Sequence, residues 1–494
     1  MRRLNALFLF VTLISLYACT SVQDDAIRYG LSRMPVTLDP RFATDAASSR
    51  INRLIYRRLT DFNNAYKAIP SLADWQQLSA THYRFTLDAE RRMFSNGQRL
   101  TSADVKATYE FILDKANASP HRISLKNINE MVLVDDNTLD FMIDEADPLF
   151  PGRLIIGIVP AKLIENKHAF NRHPIGSGAF TLKDWQGDTV LVLERNRDKQ
   201  IIEFVETKDP TVRVLKLMRG EIDMIQNDLP PELVSYLEAS DDINVVKTAG
   251  TNFAYLGFNM QDDTAGQAVV RKAIAHAIDR KDIIRYAMGD AARRANAILP
   301  PTHWAGNASL QAYEYNPQLS RELLKNIGVD KQHPLLLVYK TSSDPFRLRL
   351  ATIIQQQLAE VGIKVEIRSY DWGTFYGDIK AGRFQMYSLM WVGVKLPDIF
   401  RYVFHSSAVP PEGANRGRLI DKNVDHLIEA AEAAKSIAEQ AIHYQELQSL
   451  LHEKLAYVPL WYEDHVFISR RDIKGYTIAS DGNYDGLNTV IRAK

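Results

Sequence analysis

Residues 335–367 read LLLVYKTSSDPFRLRLATIIQQQLAEVGIKVEI, and this stretch predicts a strand, a helix and a second strand in succession. Asp344 and Pro345 are typical of a helix N-cap followed by a first-turn proline, and small or apolar side chains then recur at helical spacing. Gly362 ends the helix, and residues 363–367 alternate between apolar and polar, as a half-buried strand does. A strand, a helix and a strand in this order form a parallel pair, which is the building unit of an α/β fold.

The same joint of helix, glycine and strand occurs twice more in the chain. One copy centres on Gly220, between a helix from about Thr211 and a strand at 222–225. The other centres on Gly382 and precedes a strand at 384–391. Three copies of one joint make an α/β fold the favoured class.

Caps and apolar stripes predict further helices. Thr101 precedes one of them, with Asp104 three residues later as in a capping box. We interpret the apolar stripes of these helices as core. The segments predicted outside the three joints are 101–113, 269–278, 283–288, 317–327 and 423–456.

Length and composition bound the class of protein. At 494 residues the chain is too long for one hydrophobic core, which predicts two or three lobes. Hydrophobic residues make up 46% of the chain, which favours a globular protein over a disordered one. Lys and Arg total 60, as do Asp and Glu, so the formal net charge is zero. The chain as a whole therefore does not attract nucleic acid or an anionic membrane electrostatically. We therefore expect no binding to nucleic acid, and we separately expect the protein to be a monomer.

The N-terminus has the layout of an export signal. Arg2 and Arg3 precede an apolar stretch at 4–17 that is too short to span a membrane, and residues 1–18 therefore read as a cleaved signal peptide. The run that ends in Cys19 resembles the bacterial lipoprotein box, from which Tyr17 departs. The alternative is a plain secretory signal with a chance cysteine. We favour lipid on Cys19, since several acyl chains would hold a neutral protein at a membrane.

Motifs for catalysis or cofactors do not stand out. Cys19 is the only cysteine, which excludes disulfides and iron–sulfur clusters, and the scattered histidines form no metal-ligand pattern. Residues 175–179 match neither a nucleophile elbow nor a dinucleotide fingerprint. We therefore expect no cofactor, no metal and no catalytic residue.

A series of recognisable segments lies at 36–40, 55–59, 94–105, 174–180, 220–223, 255–259, 271–280 and 384–391. The signature FSNGQRLTSADV at 94–105 is the most specific of them. In sequence and in order, the segments resemble the extracytoplasmic solute-binding proteins of ABC importers, family 5. That family binds oligopeptides, dipeptides and nickel complexes, and the similarity runs over nearly all of the mature chain.

The resemblance implies a periplasmic-binding-protein-like fold with two hinged α/β lobes and an additional inserted domain. Ligand would lie in the cleft between lobes I and III, which close around it. The implied boundaries are 19–58 plus 173–249 plus 466–494 for the discontinuous lobe I, 59–172 for the inserted domain II, and 250–465 for lobe III.

Peptide-binding members pair an extended ligand with protein strands. The resemblance places one such strand at 386–391 and another near Ser32 and Arg33. Alternation puts Tyr387, Leu389 and Trp391 on one face of the first strand, which either lines the cleft or belongs to the core.

The position three residues past Trp391 departs from the family. Peptide binders usually carry an aspartate there for the ligand's ammonium group, and this chain has Val394. A buried ammonium without its carboxylate is costly, so ordinary free-amine peptides are disfavoured. Lys395 indicates an anionic or capped ligand, unless it faces solvent, and Asp398 is a possible substitute partner.

The polar stretch after this loop often borders the cleft in the family. By that resemblance, Arg401, His405 and Arg416 are further candidate ligand contacts.

The sequence thus predicts a non-catalytic, lipid-anchored receptor in the periplasm or elsewhere outside the cytoplasmic membrane. It would capture a peptide or peptide-like solute and present it to an ABC permease and ATPase complex. The alternatives are a receptor for a non-peptide solute such as a nickel chelate, a lipoprotein enzyme acting on cell-wall peptide, and a sensory or scaffold lipoprotein.

Overall fold

The computed structural model describes residues 25–90, 92–187, 189–330 and 332–493. The predicted signal peptide and Cys19 lie outside these residues. None of the helices within the described ranges is both long and apolar enough to cross a membrane.

The structure describes nineteen strands. They are β1 (Ile27–Leu31), β2 (Thr60–Phe62), β3 (Ala68–Pro70), β4 (Ala73–Ser79), β5 (His82–Leu87), β6 (Ile128–Leu133), β7 (Thr138–Ile143), β8 (Phe180–Gln186), β9 (Val190–Arg195), β10 (Ile201–Glu206), β11 (Met224–Gln226), β12 (Ile243–Phe258), β13 (Ala292–Arg294), β14 (Leu335–Ser342), β15 (Ile363–Tyr370), β16 (Met386–Trp391), β17 (Tyr457–Arg470), β18 (Ile473–Lys474) and β19 (Ile491–Arg492).

Helices connect and cover these strands. They are α1 (Ala46–Ile55), α2 (Ser102–Leu113), α3 (Arg122–Leu125), α4 (Phe150–Arg153), α5 (Ala161–Glu165), α6 (Pro210–Met218), α7 (Pro231–Glu238), α8 (Ala268–Ala277), α9 (Arg280–Asp282), α10 (Pro317–Lys325), α11 (Pro345–Glu360), α12 (Trp372–Ala381), α13 (Ile399–Phe404), α14 (Lys422–Ala433) and α15 (Ile437–Lys454). The predicted segment at 283–288 is a π-helical turn, Ile283–Ala287.

The three predicted joints are confirmed. β14 and β15 pair in parallel from Leu335 opposite Ile363 onward, and α11 connects them. Gly362 adopts a φ of +97°, a left-handed conformation that other residues rarely adopt. The joints at Gly220 and Gly382 connect α6 to β11 and α12 to β16.

The helix predicted at 423–456 is wrong, because the chain forms two helices there, α14 and α15. Ser436 caps the second helix, since its hydroxyl accepts a hydrogen bond from the Glu439 backbone N–H at 3.2 Å. The Glu439 carboxylate accepts in turn from the Lys435 backbone N–H at 3.0 Å. These two bonds satisfy backbone N–H groups at the start of a separate helix.

One mixed sheet runs through the molecule. Its order is β15-β14-β16-β12-β17-β11-β1-β10-β9-β8, with β13 beside β17. Parallel pairs occur on both sides, among β14, β15 and β16 and among β1, β10 and β11. A separate sheet has the order β4-β5-β7-β6.

The long strands β12 and β17 join the two halves of the large sheet. Their register shifts between Thr248 and Asn252, where a bulge bends the pair. Gly250 lies in this shift, and a Cβ there would be 2.2 Å from the Glu463 carbonyl oxygen, so only glycine fits. Arg293 donates to Asp464 at 2.8 Å and to the Gly250 carbonyl, which holds the bend in place.

Each half of the large sheet, and the separate small sheet, has its own hydrophobic core. Alternate residues of β12 point into two different apolar clusters, Leu256 into one and Tyr255 into the other, so the sheet between 253 and 462 is covered on both faces. A third cluster gathers residues between 59 and 158. A fourth cluster combines residues 27–56 and 159–224 with 467–490, and a fifth combines 214–243 with Val466 and Ile468.

Candidate binding cleft

A cavity of about 690 Å³ lies between segments that are far apart in the chain. On one side is the loop that follows β16 at its carboxyl end, which is where open α/β sheets bind ligands. The volume is within the range of small-molecule sites. The lining comes from 40–58 on and beside α1, from 61–62, 121, 124 and 152–157, from 392–398, and from Asp481 and Asn483.

Arginine and aspartate side chains meet on the α1 side of the cavity. Arg53 and Arg58 contact the Asp61 carboxylate at 2.6 and 2.8 Å. Burial alone would raise the pKa of Asp61, but the hydrogen bond from Arg53 and the charges of both arginines hold it well below its ordinary value. Asp61 is therefore ionised, and its carboxylate is paired with Arg53 and Arg58.

Two ion pairs connect the 392–398 loop to the opposite wall. Lys395 contacts Asp481 at 2.5 Å, and Asp398 contacts Arg153 at 2.5 Å. Burial alone would raise the pKa of Asp481, but the Lys395 charge and hydrogen bond hold it below its ordinary value. The Lys395 ammonium also lies 5.3 Å from the centre of the Phe62 ring. These contacts hold the loop against the opposite wall of the cavity.

The two predicted loop residues thus line the cavity, but neither is free. Lys395 does not face solvent, because its side chain is 18% exposed and paired. Asp398 lines the cavity as an ion-pair partner of Arg153. Val394 is partly buried against the core, beside these two residues.

The predicted aromatic face of β16 divides into two parts. Tyr387 has no exposed surface and packs against Tyr255 and Phe384, so it belongs to the core. Leu389 and Trp391 are partly exposed and pack on the same cluster. None of the three is in the cavity lining, which begins one residue later at Val392.

Arg416 packs against the Trp391 ring. Its guanidinium lies 4.7 Å from the centre of the Trp391 ring and donates to the hydroxyls of Tyr255 and Tyr376 at 3.2 and 3.1 Å. Arg416 is buried, and these aromatic partners stabilise its charge. It therefore positions the aromatic end of β16.

The remaining predicted residues lie outside the cavity lining. Ser32 donates to the Asp228 carboxylate at 2.6 Å, and Arg33 is exposed. Arg401 pairs with Glu432 at 2.6 Å. His405 is buried and lies 2.7 Å from the Ser407 hydroxyl.

Several cavity residues were missed by the sequence reasoning. Arg50 and Arg53 are three residues apart and therefore share one face of α1, which was a detectable signal. Arg153 also contacts the nearby Asp147 at 2.6 Å, but the cavity partners of Arg153 and Asp481 are 245 and 86 positions away and leave no local signal. Within the described ranges, no group of three or more His, Cys, Asp or Glu residues could hold a metal ion.

Comparison with known proteins identifies the class of this fold and cleft. The model of the family "Bacterial extracellular solute-binding proteins, family 5 Middle" matches residues 67–409. The chain belongs to this family, whose members are extracytoplasmic solute-binding proteins of ABC importers and not enzymes.

Similar proteins span almost the whole chain. The dipeptide-binding protein of Escherichia coli (strain K12) is 24% identical over 99% of both chains. The peptide transport periplasmic protein SapA of Salmonella typhimurium is 26% identical over 94% of this chain and 92% of SapA.

Solved structures share the two-lobe fold. Substrate-binding protein CtaP of Listeria monocytogenes has a TM-score of 0.85 and 21% identity, covering 95% of this chain and all of CtaP. NikZ of Campylobacter jejuni, in complex with Ni(L-His), has a TM-score of 0.82 and 22% identity, with the same coverage.

Proposed function

We propose that this protein captures a small, peptide-like solute in the cavity between its lobes and delivers it to an ABC permease and ATPase complex. The observation that carries the proposal is the cavity of about 690 Å³, whose walls come from both sides of the bent β12 and β17 pair. An enclosed cleft removes ligand surface from water while a few polar groups fix its orientation. Binding and release then require only that the halves move at the bend.

The proposed lobes keep the boundaries expected from the sequence. Lobe I comprises 19–58, 173–249 and 466–494, the inserted domain II comprises 59–172, and lobe III comprises 250–465. The boundary at 249–250 falls inside the register shift of β12, and the shift on β17 lies at 463–465. We expect the protein to act as a monomer.

The proposed ligand contacts are on the loop after β16. Lys395 and Asp398 face the cavity directly, with Val394 between Trp391 and this pair. Leu389 and Trp391 would extend the site along the strand, with Arg416 fixing the Trp391 ring. Ser32, Arg33 and Arg401 would contact ligand only at the rim, since they lie outside the lining.

A peptide panel tests the class of ligand. We expect di- to pentapeptides with a free amine to raise the melting temperature very little, and the same peptides with an acetylated amine to raise it by several degrees. The reason is that Val394 offers no carboxylate and that Asp61, Asp398 and Asp481 are already paired. Thermal unfolding followed by intrinsic fluorescence measures the shift.

A clear shift with the free-amine peptides would contradict this expectation. The matched control is the exposed Arg321→Gln variant, which lies on α10 and should respond to every peptide as the unchanged protein does.

We further propose that lipid on Cys19 tethers the protein to a membrane, through the polar residues that follow it. Replacing Cys19 with Ser should move the protein from the membrane pellet to the soluble fraction, because serine lacks the thiol that would carry the acyl chains. Fractionation of cells that produce each variant measures this. Unchanged pelleting of the Cys19→Ser protein would refute the anchor.

A further inference from the structure

Arg50 differs from the other cations of the cavity. The other four, Arg53, Arg58, Arg153 and Lys395, each contact a carboxylate of the protein. Among the residues that the structure describes, no carboxylate oxygen lies within 4.0 Å of the Arg50 guanidinium nitrogens, so Arg50 forms no ion pair there.

The surroundings of Arg50 hold its side chain in place without neutralising it. Its guanidinium lies 5.4 Å from the centre of the Tyr484 ring, and a Cβ on Gly482 would come within 2.9 Å of its Nη2. The charge of Asp228 acts on Arg50, but the Asp228 carboxylate already accepts a hydrogen bond from Ser32 at 2.6 Å. Burial alone would lower the pKa of Arg50, but Tyr484 and Asp228 raise it above its ordinary value, so the group stays charged.

The acidic side chains of the cavity lining, unlike Arg50, are all engaged in ion pairs. Asp61, Asp398 and Asp481 are the carboxylates of the lining, and each is held by a cation of the protein at 2.5 to 2.8 Å. A ligand ammonium would have to displace one of these ion pairs. A ligand carboxylate would meet a partly buried guanidinium that lacks a carboxylate partner, and such charge-assisted bonds are among the strong ones.

We propose that Arg50 anchors a carboxylate of the ligand, and that the cleft therefore selects anionic solutes without a free ammonium group. This inference rests on the proposed function, solute capture in this cavity. The carboxylate has two possible sources, the C-terminus of a blocked peptide or an acidic side chain.

Binding measurements on defined peptide pools test the proposal. The pools are N-acetylated tripeptides free of acidic residues with a free C-terminus, the same peptides amidated, N-acetylated and amidated tripeptides with one Glu each, and the first peptides with a free amine in place of the acetyl group. We expect the first or the third to bind, which tells the two sources apart, and the second and fourth to bind about tenfold to a hundredfold more weakly.

Variants separate Arg50 from the rest of the cleft. Arg50→Gln should weaken binding of the preferred pool by about tenfold to a hundredfold, and Arg50→Lys should recover part of the loss. The exposed Arg321→Gln variant should bind as the unchanged protein does. The unliganded melting temperature of Arg50→Gln should stay close to that of the unchanged protein, since no ion pair is lost.

Two different failures are distinguishable. Equal binding of the amidated pool without acid, stronger binding of the free-amine pool, or full binding by Arg50→Gln would overturn the anion anchor and leave solute capture standing. Absence of binding by all four pools to the unchanged protein would overturn the peptide-like ligand class itself, and the inference with it.

Discussion

Replacing Arg280 with methionine should destabilise the protein by about 3–5 kcal/mol, because several backbone carbonyls would lose their only charged donor. Arg280 is 5% exposed, and its guanidinium donates to the carbonyls of Pro459 at 2.8 Å and Ala275 at 3.0 Å. It also donates to the carbonyls of Ile278 and Tyr313 at 3.3 and 3.1 Å. One side chain thus joins the end of α8, strand β17 and the loop before α10.

The pKa of Arg280 is lowered because its side chain is buried among backbone carbonyls. Burial, with a smaller contribution from the charge of Arg294, lowers the pKa of Arg280 to about 10, and the carbonyl dipoles around it stabilise the charge in place of a paired carboxylate. Methionine preserves much of the volume but removes the side-chain donor from the buried carbonyls of Pro459, Ala275 and Tyr313, whereas the Ile278 carbonyl keeps the backbone N–H of residue 280 at 3.1 Å. Each such group costs about 1–3 kcal/mol.

Chemical denaturation followed by tryptophan fluorescence measures the loss of stability. The control is Arg321→Met, an exposed position on α10 where we expect a change of at most about 0.5 kcal/mol. If Arg280→Met unfolds at the same denaturant concentration as the control, the carbonyl contacts do not stabilise this lobe as argued.

Reversing the charge of Lys395 should open the cleft. In the Lys395→Glu variant two carboxylates would face each other where an ion pair now spans 2.5 Å, and like charges placed together cost several kcal/mol. Asp481→Lys should have the same effect for the same reason. The double variant, with the charges exchanged, should close again.

Small-angle scattering of the ligand-free protein measures this opening as an increase in the radius of gyration. The matched control is Arg368→Glu, which creates repulsion with Glu366 on the exposed surface of β15 and spans no cleft. Single variants as compact as the control would show that the Lys395 pair does not hold the lobes together. Failure of the exchanged pair to restore compactness would assign Lys395 a role other than pairing with Asp481.

The fold was predictable where the information is local. The joint at 335–367 combines a cap, a helical stripe, a glycine and an alternating strand within 33 consecutive residues, and the structure confirms it. The break at Ser436 was missed although Ser436 and Glu439 carry the signature of a helix start, because the apolar stripe on both sides was read as continuous.

The cavity was much less predictable, because its parts meet only after folding. Lys395 was noticed as a cation, but the carboxylate that engages it, Asp481, lies 86 residues later. The same holds for Arg153 and Asp398, which are 245 residues apart. Arg50 is conspicuous only once the pairing of every neighbouring charge is known.

Native mass spectrometry of the protein purified from its own host tests solute capture most directly. A cavity of about 690 Å³ accommodates a small solute, so we expect a non-covalent adduct of a few hundred daltons that denaturation releases chemically unchanged. We expect the released solute to carry a carboxylate and no free ammonium. The bare mass of the chain in every preparation, or steady conversion of the adduct into products, would contradict capture without chemistry.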